Sequence, residues 1–216
     1  MHTVDDTESP IPFAIACAAG QFLLTILILK FGFSFAPPEA YGKVKLLAFA
    51  STIVYPLVLA HAFGLWKRLA LGLDRIRPQP VFLAGLAAAA LFLPWGLRSA
   101  DGGKLASDFT LQFFNAFGEE LLFRGVIFAL LLSLPAWRGI VLNGLLFGAV
   151  RYRSGSLWLC VILHMALNLC MIYSKVQGAA ESTVFLVERA ANLIEIAVAA
   201  WVIFGARRTS AAPAAA

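Results

Sequence analysis

Long apolar runs constrain this chain more than any other feature. Seven stretches, 11–29, 46–66, 81–97, 109–134, 139–151, 157–173 and 184–204, are predominantly apolar. About 20 such residues on a helix suffice to cross a hydrocarbon core. In hydrocarbon every backbone N–H and C=O must find a partner within its own segment or within a closed barrel. These runs are too long and too uniformly apolar for barrel strands, so the expected class is all-α, a polytopic transmembrane helix bundle of about seven segments. Composition agrees, with 61% hydrophobic and 13% charged residues and a mean hydropathy of +0.83. Soluble domains sit near about 45–50% apolar and about 25% charged.

The expected organisation is a single transmembrane domain over 11–205, with an N-terminal tail at 1–10 and a small, polar tail at 206–216 expected to be disordered. No internal repeat or separate soluble domain is visible. The first ten residues carry Asp5, Asp6 and Glu8 rather than a basic stretch, so the first apolar run is expected to be a retained span rather than a cleaved signal. The formal charge of +5 comes from small groups between apolar runs, Lys43/Lys45, Lys67/Arg68, Arg75/Arg77 and Arg207/Arg208. That pattern fits membrane-flanking loops rather than a nucleic-acid surface. With seven spans, an outside N-terminus gives a weak positive-inside bias, and the basic loop at 67–77 opposes it. Cys17, Cys160 and Cys170 lie inside apolar runs without CxxC pairing or a His/Cys cluster, which argues against a disulfide framework or a zinc site.

Ionisable residues at bilayer depth cost several kcal/mol and mark candidate functional sites. The fourth run carries Asn115-Ala-Phe-Gly-Glu119-Glu120-Leu-Leu-Phe-Arg124-Gly125. On a helix Glu120 and Arg124 share a face, with the acid N-terminal to the base, which is the favourable order. Glu119 has no cation one turn away. A carboxylate lacking one in a low-dielectric site holds its proton more tightly and can serve as a general base near neutral pH. The competing reading is a structural ion-pair network.

The sixth run carries His164 and Asn168, four apart and so on one helix face. They can donate hydrogen bonds to an oxyanion, or bond between helices. Cys160 continues the same stripe, as a space-filling thiol or a nucleophile paired with His164. In the fifth run Gly144 and Gly148 form a small-xxx-small pair that permits close helix approach. Arg151 there either snorkels to the interface, the favoured reading from the residues alone, or points inward at the acids.

Glu119-Glu120-x-x-x-Arg124, Phe147-x-x-x-Arg151 and His164-x-x-x-Asn168, in that order over 109–173, resemble the CPBP family. This family comprises the type II CAAX prenyl endopeptidases and bacteriocin-processing relatives. The resemblance implies a glutamate-dependent intramembrane endopeptidase, in the bacterial cytoplasmic membrane, acting on a membrane-associated protein or peptide. Glu119 would activate water, Glu120 and Arg124 would hold the helix and the local charge, and His164 and Asn168 would form the oxyanion hole. The family's second-motif histidine is Arg151 here. Arginine cannot act as a base, but it can orient a carboxylate or stabilise an anionic intermediate. No cofactor or metal is implied, since one histidine and two acids are a thin zinc ligand set. Two other readings stay open. One is a catalytically silent relative serving as an immunity or adaptor protein, motivated by Arg151. The other is a transporter, motivated by Glu188, Arg189 and Glu195 in the last run.

Overall fold

A computed structural model describes residues 9–210, and the described residues form an all-α fold without strands; one isolated bridge joins Leu97 to Ser174. The expected tails fall largely outside, at 1–8 and 211–216, while the last helix continues to Ser210.

Helix α1 (Pro10–Phe35) opens with Ser9 accepting from the Ile11 N–H and with Pro10 in the first turn. There its fixed φ suits the helix and its missing N–H costs nothing. Helix α2 (Tyr41–Ala62) returns antiparallel to α1, and Tyr55 Oη donates to Cys17 O at 3.0 Å. Together with the short turn Pro38–Ala40 that precedes α2, these two helices are long and apolar enough to cross a membrane. Two such helices fit an integral membrane protein.

A largely exposed loop follows, anchored by the buried Leu65, Leu69 and Ala70, with 3-10 turns at Trp66–Arg68 and Leu73–Arg75. Helix α3 (Pro80–Ala90) is only 11 residues long, about 16 Å of rise against a core of about 30 Å. It ends before Pro94, so the expected span at 81–97 is a short helix followed by tight turns, with Gly96 at φ +80°.

Helix α4 (Gly102–Glu120) is capped by Asp101, whose carboxylate accepts from the Lys104 N–H. It continues through a π-helical segment, Leu121–Ile127, into the single turn α5 (Phe128–Leu130). The expected fifth span breaks at Asn143-Gly144 into α6 (Ala136–Leu142) and α7 (Leu145–Ser154). The two pack back to back where Gly148 lies against Ile140; a Cβ on Gly148 would sit 2.6 Å from Ile140 O. The segment is therefore two short helices folded against each other, and a count of seven spans is not carried by these helices. Helix α8 (Leu157–Tyr173) matches its expected span, and α9 (Glu181–Ser210) closes the bundle.

The core centres on α7, α8 and their neighbours. One cluster joins Val81, Ile140, Leu146, Ala149, Leu159, Leu163 and Val202. A second joins Leu69, Ala116, Leu121, Val126, Leu157 and Val161. Between these two clusters lie the polar motifs.

Candidate active site

The π-helical segment begins immediately after Glu120 and contains Arg124. A wide turn of this kind re-aims side chains and recurs at functional sites. Glu120 is fully buried. Its Oε1 accepts from Arg124 Nη1 at 3.0 Å and lies 2.8 Å from His164 Nδ1. A carboxylate only accepts, so the ring proton sits on Nδ1 in this contact and Nε2 turns outward. That second nitrogen lies 3.8 Å from Glu119 Oε2. This is beyond direct hydrogen-bond range but close enough for both groups to engage one small polar species. The Glu119 side chain is 47% exposed.

Adjacent in sequence, the two glutamates thus have opposite environments. Glu120 is locked between two cations or potential cations, whereas Glu119 opens outward on the same imidazole. Glu120 Oε2 and Arg124 Nε are buried without a protein partner.

Helix α7 completes the frame around Arg124. Gly144, at φ +78°, takes a backbone shape open mainly to glycine. A Cβ there would lie 2.7 Å from Arg124 Nη2. Phe147 then stacks beneath the guanidinium, 4.7 Å from its ring centre, and tilts against the His164 ring at 5.6 Å. A cation over an aromatic face is attracted to its electron-rich ring.

Arg151 is buried, so the snorkelling expected from the residues alone does not occur, and its bonds go to backbone rather than to the acids. Its Nε donates to Arg124 O at 2.9 Å and its Nη2 to Arg68 O at 2.7 Å, with Phe128 beneath it at 5.3 Å. The first of these carbonyls belongs to the π-helical segment, where widened geometry frees backbone acceptors. Arg151 ties that segment, the loop after α2 and α7 together.

Asn168 Nδ2 donates to Gln112 Oε1 at 2.9 Å, leaving one amide proton for another acceptor. Further along the same helix pair, Tyr173 Oη donates to Asp108 Oδ2 at 2.7 Å. Asp108, Gln112, Asn115 and Glu119 recur at helical spacing, one stripe of α4. The period was present in the sequence, and Gln112 could have been found by asking which polar residues share a face with Glu119.

Cys160 is fully buried, with Sγ near Phe147 O at 3.6 Å and Ser156 O at 3.8 Å. It has no access to a substrate. Glu188 and Arg189 are exposed on α9, and Arg189 lies over Phe185 of its own helix. Among the described residues no group of three or more His, Cys, Asp or Glu is placed to hold a metal ion.

The family described as type II CAAX prenyl endopeptidase Rce1-like matches residues 103–150 and 135–170. The matched region covers the helices that carry all six candidate residues. No curated protein and no solved structure matches the chain.

Proposed function

We propose that this protein, whose residues 103–170 match the type II CAAX prenyl endopeptidase family model, hydrolyses a peptide bond of a membrane-associated protein or peptide in the bacterial cytoplasmic membrane. The observation that carries the reading is the division between the two glutamates around His164.

Glu119, half-exposed and facing His164 Nε2, takes a proton from a water as its oxygen attacks the scissile carbonyl carbon. The carbonyl oxygen becomes an oxyanion. Asn168 has an amide proton to offer it after bonding Gln112, and His164 donates from Nε2 when the ring carries both protons. Collapse of the intermediate breaks the C–N bond. The proton held by Glu119 passes to the departing amine, and the products are a new carboxyl and a new amino terminus.

Glu120 never meets substrate in this scheme. It accepts from His164 Nδ1 and from Arg124, fixing the imidazole's orientation as a carboxylate does behind a catalytic histidine. Arg151 supports the π-helical segment from its far side and takes no proton. The family's histidine at this position would be a second polar contact for the water, and here Glu119 and His164 act without it.

The test compares peptide termini in membrane and secreted fractions of cells carrying wild type or Glu119→Gln. Discrete termini that appear only with wild type support the proposal and name the substrate. Matching profiles, with both proteins stably inserted, would replace it with a catalytically silent relative.

A further inference from the structure

The helix directions bring one set of loops to a single end of the bundle. Residues at the start of α1 and after α5 meet there, Ile11 and Leu134 joining Ala14 and Leu131, with Leu59 near the end of α2. The loop after α2 reaches the end of α7 through Arg151 Nη2 to Arg68 O, and the start of α8 through Trp158 Nε1 to Leu71 O at 2.9 Å. Helix α3 starts there, because Val81 and Phe82 pack with Val202 near the end of α9. Helices α6 and α7 enter and leave at this same end. The opposite end gathers the turns around Leu97 and Ser174, where Arg98 N–H donates to Tyr173 O and Lys175 N–H to Gly96 O.

The first end is chemically distinct. Lys67, Arg68, Arg75, Arg77, Arg138 and Arg153 are all exposed on it, with Asp74 the one acid in the loop at 67–77. Exposed aromatic residues accompany them, Trp66, Trp137, Tyr152 and Trp201, against Tyr41 and Trp95 at the other end. Arg138 lies over Trp137 at 5.2 Å and Arg153 over Trp201 at 5.8 Å. Trp and Tyr prefer the headgroup level, and Lys and Arg concentrate on the cytoplasmic side. The other end exposes Lys30, Lys43, Lys45, Arg98, Lys104 and Lys175 as well, but interleaves them with Glu39, Asp101 and Glu181.

We infer that the basic, aromatic-rimmed end is the cytoplasmic interface, seated against anionic phospholipid headgroups. The start of α1 and the end of α9 lie on that side, and α6–α7 is re-entrant from it. The chain then crosses six times, through α1, α2, α3, α4–α5, α8 and α9. With seven crossings and an outside N-terminus, the basic loop at 67–77 and Arg138 would lie outside, across the membrane from Arg153. With the hairpin re-entrant, the loop joins Arg138 and Arg153 on one face. Each basic residue near an anionic leaflet adds to the attraction, which salt screens.

This inference does not depend on protease activity, and its test does not use it. Single cysteines are introduced by Arg75→Cys, Arg153→Cys and Ser99→Cys in a Cys170→Ala background, where Cys17 and Cys160 remain buried. Intact bacterial cells are treated with a membrane-impermeant maleimide, then opened and treated again. Ser99→Cys should label in intact cells, and Arg75→Cys and Arg153→Cys only after opening. Labelling of Arg75→Cys and Arg153→Cys from opposite sides would mean that the hairpin crosses. Labelling of both in intact cells would invert the orientation; either result overturns the inference.

A second measurement addresses the lipid. The wild-type melting temperature in phosphatidylcholine discs should rise when phosphatidylglycerol is included, and Lys67→Gln with Arg77→Gln should remove that rise. No rise for wild type would refute the anionic-headgroup contact.

Discussion

Helix α1 buries Ala14, Cys17 and Gln21 out of 26 residues, whereas the π-helical segment Leu121–Ile127 buries five of its seven. The first helix meets its environment with side chains such as Phe22, Leu23 and Phe35, all exposed to whatever surrounds the bundle. Regular backbone is enough there, since its own hydrogen bonds satisfy it. The motif region instead encloses charge. Glu120, Arg124 and Arg151 sit among apolar residues, and each is held by named partners. Its backbone is correspondingly irregular, with a wide turn, a helix broken at Asn143-Gly144 and a left-handed Gly144. One region is held by the bilayer, the other by its own polar contacts.

Substitutions can break or sharpen that contrast. Arg124→Ala should cost the most, about 3–5 kcal/mol, because it leaves the fully buried Glu120 without its cation. An unchanged denaturation midpoint in detergent would show the pair to be dispensable. Arg151→Met comes next. It strips donors from Arg124 O and Arg68 O, and each buried polar group left unsatisfied costs about 1–3 kcal/mol. Arg151→Lys, with its single ammonium, should recover part of that loss. Gly148→Ala should cost about 1–3 kcal/mol by forcing α6 from α7, read as a lowered melting temperature. Phe22→Ala in α1 should change stability least, within about 0.5 kcal/mol, because its side chain packs against none of the buried clusters. A large loss there would show that α1 carries a protein contact.

The legible parts of the fold share a physical cause. Helix α8 coincides with its apolar run because no proline, glycine or charge interrupts it between Ser156 and Ser174. The Glu120–Arg124 pair follows from helical spacing alone, and the π-helical segment that starts at Leu121 does not disturb it. The hairpin was not legible as such. Gly144 and Gly148 signalled close approach, but 139–151 read as one helix, and only a positive φ at Gly144 turns it back. Arg151 illustrates a different limit. Its long side chain can reach interface, acids or backbone from the same Cα, and the choice of carbonyls depends on the loop at Arg68, 83 residues away. Gln112 escaped notice because a single glutamine two turns before Glu119 gains meaning only once Asn168 is placed opposite it.

In the proposed mechanism two adjacent glutamates do separate work, Glu119 in chemistry and Glu120 in architecture. The direct test sets Glu119→Gln beside Glu120→Gln, with cleavage of the native substrate and thermal melting measured on the same preparations. Glu119→Gln should melt as wild type does and lose cleavage by about 10²–10⁴-fold, the usual contribution of a positioned general base. Glu120→Gln should melt lower and lose cleavage with it. A Glu119→Gln protein that still cleaves at the wild-type rate would contradict the claim.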